Sequence, residues 1–366
     1  MERRVRQWAT PVVVLCALVM GGCTLAVRTP EPSPSPMDRA ARSQAALDEV
    51  VVQADVEPGC SATVGRRGQV LWQAQRGLAV LQPATPITAE TAFDIASVSK
   101  QFTALAVALL ADEGRLSLVD TVDDHLDGYP DWAGRVTLSQ LVHHTSGIPD
   151  IFGLMSLRGT GLESKASRAD LLEAIRQVEA LDFEPGSQWT YSNSNYVLLG
   201  QIVEQTSGQP LGSHLTQTLF APLGLDLTMD TSGSSPVRTR SYRADAQGQF
   251  EVADVEWDLS GASGVWATTV ELIRWADVYR TGVVGGKLVT QPQADAAVAT
   301  PDNSRYGLGI VIAPDGVLWH GGELGGYHTT FLVSADRDHS IAVACNGNGI
   351  EPLELADDLR QIWQVG

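Results

Sequence analysis

Ser97 and Lys100 stand three residues apart in the run Phe93-Asp94-Ile95-Ala96-Ser97-Val98-Ser99-Lys100-Gln101-Phe102. A serine hydroxyl is a poor nucleophile until a neighbouring base takes its proton. A lysine can be that base when burial lowers its pKa. Val98, Phe102, Leu105 and Leu109 recur at helical spacing as far as Ala111, and Gly114 supplies a stop. This helix is apolar almost all round, which predicts burial. Ser97 and Lys100 then share one face at or near its first turn. Unpaired N–H groups and a partial positive charge there suit a developing oxyanion. In the alternative reading, Ser97 caps a core helix and Lys100 reaches outward. The chain has only three lysines, Lys100, Lys165 and Lys287, and Lys100 alone has a serine three residues before it. A lysine on a buried helix is costly unless paired or neutral.

Three other stretches carry polar groups beside turns. Phe183-Glu184-Pro185-Gly186-Ser187-Gln188-Trp189-Thr190-Tyr191-Ser192-Asn193 is a loop by its Pro-Gly turn, and leads into an apolar helix from Asn195 to Gln205. Tyr191 and Asn193 could present a phenol and a carboxamide. A phenol becomes a useful base only beside a positive charge such as lysine; without one, both residues read as surface-turn residues. Trp319-His320-Gly321-Gly322-Glu323-Leu324-Gly325-Gly326-Tyr327 is glycine-dense beside a strand. It reads either as a bulge or as a place where a ligand approaches the backbone closely. His143-His144 reads as a loop anchor, because adjacent histidines lack the spacing that puts two metal ligands on one helix face. We find no metal motif and no phosphate-cradling glycine loop, and expect no cofactor.

The elements that must position these residues come from both ends of the chain. Ser43 to Asp55 reads as a short helix. Cys60–Val64 and Gln69–Ala74 read as strands around a Gly65–Gly68 loop. From Asp112 to about Thr300 the pattern is helices and loops. Strand signals return at Tyr306–Ala313, Gly316–Trp319, Tyr327–Ser334 and Ser340–Cys345, before a terminal helix from Glu351 to Trp363. This order predicts an α+β fold. An antiparallel sheet built from both chain ends is flanked by the terminal helices, with a large helical segment on its other face.

With 366 residues, 44% of them hydrophobic, the chain can bury a sizeable core. A net charge of −18 argues against nucleic acid or an anionic membrane surface as partners. Arg3, Arg4 and Arg6 precede an apolar run, Pro11 to Met20, and then Gly21-Gly22-Cys23. The pattern reads as a signal segment over residues 1–22, resembling a bacterial lipoprotein signal with Cys23 as the lipidated residue. An uncleaved anchor over Gln7 to Val27 is the competing reading. Both put the body outside the cytoplasm, membrane-tethered or secreted. Residues 23–42, with Thr29 to Pro36 rich in proline, read as an extended tether, and 43–366 as one domain. Cys60 and Cys345 remain, as a disulfide or as two buried thiols.

Taken together, Ser97-Val98-Ser99-Lys100, Tyr191-Ser192-Asn193 and His320-Gly321-Gly322, with Leu141 to Ile148, Pro222-Leu223-Gly224 and Ser263-Gly264, resemble the serine β-lactamase-related hydrolases. The branch is the one that holds class C β-lactamases, D-alanyl-D-alanine carboxypeptidases, D-aminopeptidases and several esterases. The resemblance covers roughly residues 43 to 366. It implies the β-lactamase/transpeptidase-like fold, with Ser97 as the acylated nucleophile and Lys100 and Tyr191 sharing proton transfer. Asn193 would hold the substrate, as would the strand of His320, Gly322 and Glu323. The oxyanion donors would be the N–H groups of Ser97 and Glu323. The family fold sets its first strand antiparallel to its last, which implies a Cys60–Cys345 disulfide. The third motif departs from the β-lactamase form Lys-Thr-Gly, since His320 and Gly321 replace the lysine and the threonine. Carboxylate recognition is weakened. The expected substrate is an ester or a small amide or peptide, including those with D-amino acids. A low-efficiency β-lactamase or carboxypeptidase and a non-catalytic binding module are the alternatives.

Overall fold

The computed structural model describes residues 35–230, 238–291 and 298–365. The signal segment, Cys23 and most of the proline-rich stretch lie outside the described residues. Among the described residues no helix is long and apolar enough to cross a membrane. Residues from Pro36 onward form one compact unit.

Seven strands form the main sheet: β1 (Cys60–Arg66), β2 (Gln69–Arg76), β3 (Arg305–Tyr306), β4 (Val311–Ile312), β5 (Leu318–Leu324), β6 (Tyr327–Val333) and β7 (His339–Cys345). Their order is β3-β4-β5-β6-β7-β1-β2, antiparallel throughout. The first and last strands of the chain therefore pair inside the sheet, and that register sets Cys60 opposite Cys345. The two cysteines are joined by a disulfide, as the resemblance implies. The β1–β2 turn is tighter than expected. Arg67 and Gly68, both at positive φ, form the two-residue connection that matches the strands' twist.

Five helices matter for the site: α1 (Pro36–Val50), α2 (Lys100–Asp112), α3 (Ile151–Leu157), α4 (Asn193–Ser207) and α5 (Pro352–Trp363). The terminal helices α1 and α5 cover one sheet face. Leu47, Leu355 and Leu359 pack there against Ala62, Val64, Ile341 and Val343. The other face meets a larger core in which α2 is central, and every α2 residue from Lys100 to Ala108 is buried.

Four expectations need correction. The first helix starts at Pro36 rather than Ser43 and stops at Val50, so the end of the supposed 23–42 tether is helical. Proline is tolerated at a helix's first position, where its missing N–H costs nothing, and Asp38 favours the same turn. The single strand expected over Tyr306–Ala313 is two short ones, folded back through Gly307–Ile310, where Gly309 takes a positive φ. The strand expected at Gly316–Trp319 is displaced into β5, which carries His320-Gly321-Gly322 within the sheet. The helical middle also holds short strands, of which Val265–Ala267 pairs with both Phe93–Asp94 and Thr228–Met229.

Candidate active site

Ser97 lies in a 3-10 turn, Ala96–Ser99, that runs straight into α2. Ala96 is held at φ +48, a costly region for a residue with a Cβ. Asp94 holds it there, its carboxylate accepting the Ala96 N–H at 2.8 Å. Burial raises the Asp94 pKa to about 6. The turn is backed by β5, since a Cβ on Gly322 would sit 2.3 Å from the Ile95 carbonyl oxygen. Glycine at 322 is thus a packing requirement that brings β5 against the nucleophile's turn.

Lys100 is fully buried, so it does not reach outward. Its Nζ lies 3.0 Å from Ser97 Oγ, 2.8 Å from Asn193 Oδ1 and 2.8 Å from the Ala262 carbonyl oxygen. Burial pulls its pKa down to about 7, opposed by the Asp150 charge. The three contacts can take the three hydrogens of an ammonium or, in the neutral amine that the lowered pKa makes accessible, its two hydrogens and its lone pair. In the neutral amine the two hydrogens satisfy two carbonyl oxygens that can only accept, leaving the lone pair toward the Ser97 O–H.

Asn193 begins α4. Its Nδ2 and its backbone N–H both donate to Asp150 Oδ2, at 2.9 and 2.6 Å. A carboxylate can only accept, so Asn193 must turn Oδ1 to Lys100. Asp150 in turn caps α3, accepting the Phe152 N–H at 2.9 Å. Sequence reading missed Asp150, although an aspartate before Ile151 is a helix-start signal. It also missed the Ala262 carbonyl, which carries no side-chain signal.

The Tyr191 hydroxyl is buried, with no partner at ordinary hydrogen-bond geometry among the described residues. Ser97 is near enough to lower its pKa slightly, but burial dominates and pushes it well above the ordinary phenol value. The Lys100 Nζ lies 5.0 Å from the Tyr191 ring centroid. His144 anchors this loop, its Nδ1 accepting the Ser192 N–H at 3.2 Å and the Asn195 side-chain amide at 3.1 Å. His143 donates from Nδ1 to the Tyr306 carbonyl at 2.7 Å. Both act as the loop anchors expected.

His320 is buried on β5 with Nδ1 2.5 Å from the Gly321 carbonyl oxygen. Nδ1 therefore carries the hydrogen, and Nε2 accepts from the Tyr306 hydroxyl at 2.7 Å. Burial, with Lys100 nearby, pushes its pKa down to about 3. It offers no positive charge at neutral pH. Beyond Trp319, β5 has no partner strand on its β4 side among the described residues, which leave its backbone edge unpaired from His320 to Leu324.

A cleft of about 650 Å³ joins these groups, lined by Ser97, Tyr191, Asn193, His320, Gly322 and Glu323 among others. A neighbouring cleft of about 540 Å³ shares Leu259, Ser263 and Leu324 with it but does not reach Ser97. The Cys60–Cys345 bridge lies elsewhere on the sheet. Asp336, Asp338 and His339 are close enough together to hold a metal ion. Arg66 and Arg67 already pair with Asp338, holding its pKa at about 2.

The beta-lactamase family model matches residues 47–362. The chain belongs to the beta-lactamase family. Within it, the chain is 30% identical over 303 residues to a D-aminopeptidase of Brucella anthropi, covering 80% of this chain and 56% of that protein. The fold is that of a penicillin-binding protein homologue from Pyrococcus abyssi, described as octameric (TM-score 0.78, 22% identity, 88% of this chain and 76% of that one). It is also that of a D-amino acid amidase from Ochrobactrum anthropi (TM-score 0.74, 21% identity, 89% and 99%). The chain spans between 35% and 66% of the length of the first curated relatives it matches.

Proposed function

We propose that this chain is a serine hydrolase that works through an acyl-enzyme at Ser97, on an ester or a small amide or peptide. The observation that carries the reading is the buried Lys100 amine, 3.0 Å from Ser97 Oγ with its pKa drawn down to about 7. Neutral Lys100 takes the serine proton as Oγ attacks the carbonyl carbon. The resulting ammonium keeps its two carbonyl contacts and turns its third hydrogen to the new ester oxygen. Tyr191, held as a phenol by burial, relays a proton to the departing alkoxide or amine rather than acting as the resting base. The N–H groups of Ser97 and Glu323 receive the oxyanion, and each such donor is worth about 10²–10³ in rate. Water then attacks the acyl-enzyme and releases the acid.

The substrate reading follows from β5. His320 is neutral and Gly321 offers no hydroxyl, so a substrate carboxylate finds little to bind. This favours an ester or an uncharged amide over a β-lactam or a carboxylate-terminated peptide. The named relatives extend the range to D-amino-acid amides and peptides. A binding-only role would leave the poised amine without a use. Location outside the cytoplasm, by a lipid on Cys23 or by an uncleaved helix, is supported by the N-terminal sequence pattern and by the disulfide. The test is intact mass after incubation with an activated ester and, separately, with a penicillin, beside Ser97→Ala. Ester turnover through a transient adduct, lost in the mutant and without a lasting penicillin adduct, is the expected result. A stable penicillin adduct would favour a peptidase. Turnover by Ser97→Ala would overturn the reading.

A further inference from the structure

The cleft does not stop at the β5 edge. It wraps round the strand onto the face that the terminal helices cover, where Trp319 and Glu323 on β5, Thr330 on β6 and Leu353 in the first turn of α5 also line it. Gly321 lies between Trp319 and Glu323 and opposite Thr330, so the wall is open at that point. The two adjacent glycines differ in kind. Gly322 has no room for a side chain. A Cβ on Gly321 would meet nothing nearer than 4.0 Å, and its backbone is not in the left-handed region. Neither packing nor conformation requires glycine at 321, and what the missing side chain leaves is space inside the cleft.

The walls of that space define its chemistry. Trp319 is half-buried, and Leu353 is 47% exposed at the mouth, an apolar group that no described residue covers. Among the described residues, the carboxylates lining the cleft are Asp302, Glu323 and Glu351, and no lysine or arginine is among the lining residues. A carboxylate there would be repelled, whereas an uncharged apolar group would cover Trp319 and Leu353 and gain the usual burial free energy.

We propose that the space across Gly321 is a subsite for an uncharged, apolar portion of the substrate, such as an alkyl chain or an aryl ring beside the scissile bond. The inference rests on the hydrolase reading and narrows it to esters or amides with a bulky apolar group.

Two ester series test it. One varies the acyl group from acetyl to octanoyl on a fixed alcohol; the other varies the alcohol from ethyl to naphthyl on a fixed acetyl group. kcat/KM is measured for wild type, Gly321→Val, Leu353→Asp and Ser97→Ala. Wild type should prefer the bulkier members of at least one series. Gly321→Val, which fills the space without crowding the backbone, should reduce the bulky-to-small ratio about tenfold or more. Leu353→Asp, at an exposed position, should lower it in the same series. Whichever series responds identifies the side of the scissile bond that lies over Gly321. Ser97-dependent turnover with no size preference, or a preference that both variants leave intact, would overturn the subsite and leave the hydrolase reading standing. No Ser97-dependent turnover of any ester would overturn both.

Discussion

Asp150 sets the state of the amine from a distance of one side chain. It fixes Asn193, and Asn193 Oδ1 fixes one hydrogen of Lys100, so the lone pair is left for Ser97. The Asp150 charge also raises the Lys100 pKa against the larger effect of burial. Asp150→Asn should therefore move the acidic limb of the pH–rate profile to lower pH. It should also lower kcat by up to about 100-fold, because Asn193 is no longer held. The two effects are separable in one pH–rate series, and a limb that stays in place would contradict the charge argument. At this scale the sequence was informative where chemistry is local. The three-residue spacing of Ser97 and Lys100 is a helical property, visible in one dimension. Asp150 lies 43 residues from Asn193, and nothing in either stretch announces their pairing.

Among the elements, β5 matters most for the geometry because it forms one wall of the site along an edge that, beyond Trp319, no other described strand covers. Gly322 lets it approach the Ser97 turn. Gly322→Ala should cost about 1–3 kcal/mol by overpacking and should displace β5 from Ser97, with a matching loss of activity. Gly321→Ala, one residue away, should change thermal stability little. Equal melting temperatures for the two alanine variants would contradict this account of the strand. The strands were readable from β-branched and aromatic runs, but their limits were not. Tyr306–Ala313 looks continuous until Gly309 turns it back, and α1 begins at a proline that composition assigns to a tether. In both places a residue with two structural uses was read for the commoner one.

For the whole molecule, the pairing of the first and last strands closes the fold, and the Cys60–Cys345 bridge fastens it across 285 residues. The oxidised protein, unfolded without reductant, should show neither of these thiols. Replacing both by serine should cost about 2–5 kcal/mol. The same core makes the protein acid-labile. His144 and His320 are buried and neutral, with pKa values pushed down by desolvation. Below about pH 6.5 the unfolded chain binds protons there that the native state does not, so stability falls as pH falls, by about 1.4 kcal/mol per unit for each such histidine. For His320 this ends near pH 3, where the native state also titrates. Asp94, with its pKa raised to about 6, acts in the opposite sense between its ordinary value and 6 and offsets part of the loss. Denaturant melts from pH 7 to 4 should show a falling midpoint, and a flat profile would contradict the assignment of neutral histidines. The sheet built from both chain ends, which creates this interior, was legible from the placing of strand signals at the two termini. Which polar groups it buries was not, because burial belongs to the packed fold.

The most direct measurement is the rate of Ser97 acylation by an activated ester in a single turnover, followed by quenched mass spectrometry from pH 5 to 9. A neutral Lys100 base predicts a rate that rises through one ionisation near pH 7 and then levels, with the label on the Ser97 peptide. A rate still rising tenfold per pH unit at pH 9, or a label on any other residue, would contradict it.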